Sequence, residues 1–167
     1  MLIQATELLL FPALMAFAAS SDLLTMTISN RVSLLLVAGF AILALVTGMS
    51  LTQIGWHLAA GAVVLVVAFV FFARGWIGGG DAKLAAATAL WFGFPHLLDY
   101  LISASLFGGT LTLLLLQLRA WPLPNFLANQ SWALRLHDQN SGIPYGIALA
   151  AAALAIYPHT IWMTPAS

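Results

Sequence analysis

The chain contains no cysteine. Disulfides, thiol nucleophiles and thiolate zinc sites are thereby excluded together, and the redox compartment leaves no mark on the sequence. Charge is nearly as scarce, with five basic and five acidic residues in 167, or 6% of the chain where soluble domains carry about 25%. The formal net charge is zero, so nucleic acid is not an expected partner. No soluble linker, low-complexity tract or internal repeat is present, and the two halves do not match as an inverted-repeat transporter requires. His57, His96, His137 and His159 have no spacing that gathers three metal ligands, so neither metal nor cofactor is expected. The N-terminal stretch MLIQATELLLFPALMAF lacks the basic region of a cleaved signal and is expected to remain as a mature helix.

What is present is apolar surface: 62% hydrophobic residues and a mean hydropathy of +1.01. A water-soluble core of this length cannot hide that much, so the bilayer is the expected solvent and residues 1–167 the expected single domain. Apolar stretches near 3–20, 32–49, 54–73, 82–95, 97–118 and 143–162 predict an all-α, polytopic protein of about six transmembrane helices. The fourth follows a glycine-rich loop and is short, about 20 Å at 1.5 Å per residue. All six tryptophans (Trp56, Trp76, Trp91, Trp121, Trp132 and Trp162) fall in connections or near helix ends, where interfacial anchors are expected. The long connection over 119–142 mixes Trp121, Phe126, Leu127, Trp132 and Leu136 with polar residues, which suits a cytoplasmic segment lying in the interface.

The basic residues are distributed on one side only. Arg31 lies in the first connection, Arg74 and Lys83 flank the third, and Arg119 and Arg135 belong to the fifth. The second and fourth connections and both termini contain none. By the positive-inside bias the odd connections face the cytoplasm and both termini face away from it.

The acids are Glu7, Asp22, Asp81, Asp99 and Asp138. Glu7 suits the dipole of the first helix, and His96 with Asp99 could cap the fifth. Asp22 follows Ser20-Ser21 where the first span emerges. Asp81 ends the run Gly78-Gly79-Gly80 at the start of the fourth helix, on the same predicted side as Asp22. The simplest structural roles are a solvated helix-end acid for Asp22 and an N-cap for Asp81, with Asn30 capping the second helix and Lys83 snorkelling. Three consecutive glycines at membrane depth ask for more, because backbone there must be packed in protein or line a wet cavity. Two carboxylates brought together in such a pocket cannot both ionise cheaply, so the pair holds an acid and a base. With a water between them they have the parts of an aspartyl protease. Since the N-terminus of the fourth helix favours an anion at Asp81 and Asp22 has no comparable terminus, this reading leaves the shared proton on Asp22.

Three blocks, DLLTMTISN (22–30), GGGDAKLAAATALWFG (78–93) and GIPYGIALA (142–150), resemble the type IV prepilin peptidases, GxGD-type membrane aspartyl peptidases. The match is closest to the short form serving tight-adherence pili. The resemblance implies that Asp22 and Asp81 are the catalytic pair and that Gly78, Gly79, Gly80 and Lys83 shape the site. It implies cleavage of a short basic leader from Flp-type prepilins, just before their hydrophobic helix, at the cytoplasmic face of the bacterial inner membrane. A pilus assembly machine is the partner it implies. In that family the first aspartate is usually followed by basic residues and Ile-Pro-Asn. Here Ile28 and Asn30 match, Ser29 replaces proline and no basic residue intervenes, a departure bearing on leader specificity and loop shape. Long members add a domain with paired cysteines and methylate the new N-terminus; without cysteine, no methyltransferase activity is expected here.

The competing reading is a small transporter or channel subunit that uses Asp22 and Asp81 as a proton or cation relay. Relay acids usually sit mid-span, whereas these two sit at helix ends on one side. A non-catalytic scaffold packed through the Ala-rich fourth and sixth helices is the third. Neither accounts for the glycine run with its aspartate.

Overall fold

A computed structural model describes residues 2–124 and 126–163, without the side chains of residues 2–5 and 7, so the expectation for Glu7 lies outside the described side chains. Among the described residues all regular structure is helical: α1 (Leu2–Thr25), α2 (Asn30–Val46), α3 (Leu51–Ala73), α4 (Gly79–Arg119), α5 (Ser131–His137) and α6 (Tyr145–Ile156), closed by a 3-10 turn, Tyr157–His159. Leu8–Thr25, Leu51–Ala73 and Gly79–Arg119 are long and apolar enough to cross a membrane, and Asn30–Val46 and Tyr145–His159 are shorter apolar helices. Only 22%, 22% and 11% of the most apolar windows of the three long helices are buried in the protein, so their outward Leu, Val and Phe side chains require lipid. The chain is an all-α polytopic membrane protein.

Local chemistry sets the helix starts. Ser29 caps α2 by accepting the Arg31 N–H, and Ser50 caps α3 in a complete capping box with Gln53. Ser29, standing where the resembled family has proline, thus supplies the cap expected of Asn30.

The expected fourth and fifth spans follow each other directly as two limbs of α4, divided by a sharp break at Gly93, whose φ of 60° and ψ of −176° belong to a region that is essentially glycine-only. The chain enters along residues 79–92 and returns along 94–119, with Pro95 in the first turn of the returning limb, where its missing N–H costs nothing. A helix that stops inside the protein leaves its last carbonyls without partners. Two are taken by side chains: His57 Nδ1 bonds the Leu90 carbonyl at 2.8 Å, and Trp162 Nε1–H donates to the Trp91 carbonyl at 2.8 Å. Since a carbonyl only accepts, His57 carries its proton on Nδ1. Trp91 itself donates to the Leu36 carbonyl at 2.9 Å.

Around this break Phe11, Phe40, Trp91, Tyr157 and Trp162 form a continuous aromatic core. Trp91 and Trp162 are therefore core residues rather than interfacial anchors; Trp56, Trp76 and Trp121 are exposed as expected. Removing His57 strands a buried carbonyl at the break. His57→Ala is expected to destabilise the fold by about 1–3 kcal/mol, read as a lower midpoint of thermal unfolding in detergent. An unchanged midpoint would show that the Leu90 carbonyl finds another partner.

Candidate functional site

The site is built where α1 ends and α4 and α6 begin. α1 runs past Asp22 to Thr25, so Asp22 lies inside the helix, 4% exposed, rather than beyond a span that has already emerged. Met26 then ends the helix in the left-handed region (φ 56°), donating its N–H to the Asp22 carbonyl at 2.8 Å. That conformation costs a non-glycine residue about 1–2 kcal/mol. Hydroxyls support the reversal: Ser21 Oγ donates to the Thr27 carbonyl at 2.9 Å, and Thr25 and Thr27 share a hydroxyl contact of 2.8 Å.

Asp22 reaches across the bundle to the first turn of α6. Its Oδ2 accepts the Gly146 N–H at 2.7 Å, a buried bond, and the Ile147 N–H adds a second backbone interaction. α6 has no side-chain cap of its own, its N-cap position being held by Pro144. Asp22 supplies that cap from another helix. Any side chain at Gly146 would displace its neighbours: a Cβ there would lie 2.7 Å from Asp22 Oδ2 and 2.6 Å from Ile28 Cδ1.

Asp81 is the third residue of α4, and the N-cap is Gly78. The expected N-cap role therefore reverses, because the carboxylate reaches back to accept the Gly78 backbone N–H. The glycine run is also less of a loop than expected. Gly78 is extended, whereas Gly79 and Gly80 already belong to the helix, and none of the three has positive φ. What they provide is proximity. A Cβ on Gly80 would stand 3.1 Å from Ile28 Cβ and 3.3 Å from its carbonyl oxygen, and one on Gly79 would stand 3.2 Å from the Phe72 ring. Lys83, one turn on, donates to Asn30 Oδ1 at 2.8 Å and ties the start of α4 to the start of α2.

These contacts bring the two aspartate segments together. Asp22, Met26, Thr27, Ile28, Gly78, Gly79, Gly80 and Asp81 line one cavity of about 280 Å³, ample for water, whose share of the liquid is about 30 Å³. Each carboxylate sits at a helix N-terminus, Asp81 on α4 and Asp22 on α6, and each such terminus carries roughly half a positive charge. The asymmetry that left the shared proton on Asp22 therefore disappears, because Asp22 does have a helix N-terminus, one from a distant part of the chain.

All five basic residues lie at this end of the bundle. Arg119 Nε donates to the Leu136 carbonyl at 2.7 Å and its Nη2 to the Gly142 carbonyl at 2.9 Å, while Arg135 Nη2 donates to the Leu24 carbonyl at 2.5 Å. Through these bonds the connection 119–142, with α5 inside it, is fastened beside the end of α1 and the start of α6. His96 and Asp99 lie on the returning limb and line no part of the cavity. Among the described residues no group of three His, Asp or Glu could hold a metal.

Reasoning from individual residues missed Gly146 and Met26. The available signal was the Pro-Tyr-Gly at 144–146, a helix start bearing a glycine where no turn requires one. Residues 9–113 match the type IV leader peptidase family, a range that contains Asp22, the glycine run and Asp81 but not Gly146. No curated protein and no solved structure matches the chain.

Proposed function

Because this chain belongs to the type IV leader peptidase family, we propose that it is an aspartyl endopeptidase in which Asp22 and Asp81 act together on a water held between them. The observation that carries the reading is the shared cavity, lined by two acids from segments 59 positions apart, with close packing at Gly80 and Gly146 on either side of it. One carboxylate takes a proton from the water as its oxygen attacks the scissile carbonyl carbon. The other, holding a proton, gives it to the amide nitrogen as the C–N bond breaks. The products are the leader's new carboxyl terminus and the pilin's new amino terminus, and the dyad ends with one proton as it began.

The substrates of this reading are Flp-type prepilins with a basic leader and a hydrophobic helix. The one-sided basic residues support a multi-pass protein of the bacterial inner membrane, with the dyad at the cytoplasmic face, both termini on the other side, and a pilus assembly machine nearby. Absence of cysteine supports a peptidase without methyltransferase activity.

The test is incubation of the purified protein, in detergent or proteoliposomes, with a tight-adherence prepilin. Loss of the leader by mass spectrometry is the expected result. An intact prepilin, together with proton or cation flux abolished by neutralising the two acids, would establish the relay instead.

A further inference from the structure

A second cavity opens beside the dyad. It is a lipid-facing groove of about 550 Å³ between α3, the returning limb of α4 and the start of α6, lined almost wholly by apolar side chains. Along α4 it extends from Leu97 to Gly109, about 18 Å at 1.5 Å per residue. Its walls are valines and phenylalanine of α3, including Val63, Val67 and Phe71. Its floor is small: Ala68, Ala85, Ala104 and Gly109, with Gly108 covered by the Tyr145 ring.

One end of the groove is bounded by Ile77 and Tyr145. These residues immediately precede Gly78 and Gly146, whose amides hold Asp81 and Asp22. Tyr145 is fixed there, its ring packed on Gly108 and its hydroxyl 3.1 Å from Thr112 Oγ1. The groove is thus continuous, through two residues, with the backbone that builds the catalytic cavity.

We propose that this groove receives the hydrophobic helix of the substrate and delivers the peptide bond preceding that helix to Asp22 and Asp81. The proposal rests on the peptidase reading and adds where the substrate's helix lies. Acyl chains would also fill an apolar groove, but a floor of alanine and glycine allows the close backbone approach by which helices associate in lipid. The groove's length matches about twelve helical residues, and Ile77 and Tyr145 at its edge adjoin Gly78 and Gly146, so a helix seated there has its first residues near the cavity.

Gly109 makes the proposal testable. A Cβ added there meets nothing within 4 Å, so the side chain of Gly109→Leu starts from open space and projects into the groove. With a full-length prepilin, Gly109→Leu and, from the opposite wall, Val67→Trp are each expected to raise KM about tenfold or more with kcat little changed, the pattern of lost uniform binding. Cleavage of a soluble peptide that spans the scissile bond but lacks the apolar helix should not respond to either. Leu45→Trp, on an exposed face of α2, is the control and should change neither. A photo-crosslinking residue at position 109 is expected to capture the prepilin. Unaltered kinetics on the full-length prepilin in both groove variants, or crosslinks to lipid alone while cleavage proceeds, would overturn the docking proposal and leave the peptidase reading standing. If the wild-type protein cleaves neither substrate, both fall.

Discussion

Asp22→Asn and Asp81→Asn should each abolish leader cleavage, a loss of about 10⁴-fold or more, with membrane abundance unchanged. Asparagine is the informative replacement because of what it preserves. At position 22 the amide oxygen can still accept the Gly146 N–H, and at position 81 it can still accept the Gly78 N–H. The caps of α6 and α4 therefore survive, and what disappears is the ability to take up or hold a proton. Alanine removes both. Asp22→Ala also strips the cap from α6 and is expected to lower stability by about 1 kcal/mol relative to Asp22→Asn. The double variant Asp22→Asn with Asp81→Asn should be no slower than either single one, because two groups that act on one water fail together. Additive losses would mean that the acids work at separate steps, and cleavage surviving either substitution would sink the shared-water mechanism.

The parts of the site legible in the sequence were those expressed by residue type. Two acids at span ends, a triple glycine and a one-sided basic count were enough to bring Asp22 and Asp81 under one hypothesis and to orient them on one face. The short fourth helix was legible as well, because Pro95 interrupts an otherwise continuous apolar stretch, but the break itself falls at Gly93. What could not be read were the partners of backbone groups. Nothing local to Asp22 announces that α6 lacks a cap and takes one from α1, because the donor amide is 124 positions away. His57 was readable only as a histidine outside any metal-binding spacing, yet it serves the carbonyl of Leu90 at a break whose geometry only the fold reveals. The tryptophans misled for a related reason. Proximity to helix ends normally means an interface, but the first limb of α4 ends inside the protein, so Trp91 at that end is buried. A helix end is a statement about depth only when the helix crosses the whole membrane.

The second large effect is expected from the residue whose importance was least visible. Gly146→Ala should reduce kcat for leader cleavage by about 10²-fold while leaving KM and abundance nearly unchanged. The alanine keeps the amide N–H that Asp22 accepts, and its helical position carries no positive φ, so neither a lost donor nor backbone strain enters. The effect is purely one of space. A methyl group at that position lies 2.7 Å from Asp22 Oδ2, 3.1 Å from Asp22 Cβ and 2.6 Å from Ile28 Cδ1, well inside contact distance. Ile28 can rotate its terminal carbon aside, but the carboxylate must move, and Asp22 is held on a rigid helix on one side and by the start of α6 on the other. Either the carboxylate swings off the Gly146 amide or α6 retreats by several tenths of an ångström, and both take Asp22 out of register with Asp81. Displacements of about 1 Å in catalytic geometry cost roughly 10²-fold. Gly142→Ala, in the same segment, provides the internal comparison, since a Cβ there meets nothing within 4 Å and should leave cleavage intact. Equal activity in the two alanine variants would show that α6 can shift without consequence, and the first turn of α6 would then serve the fold rather than the reaction.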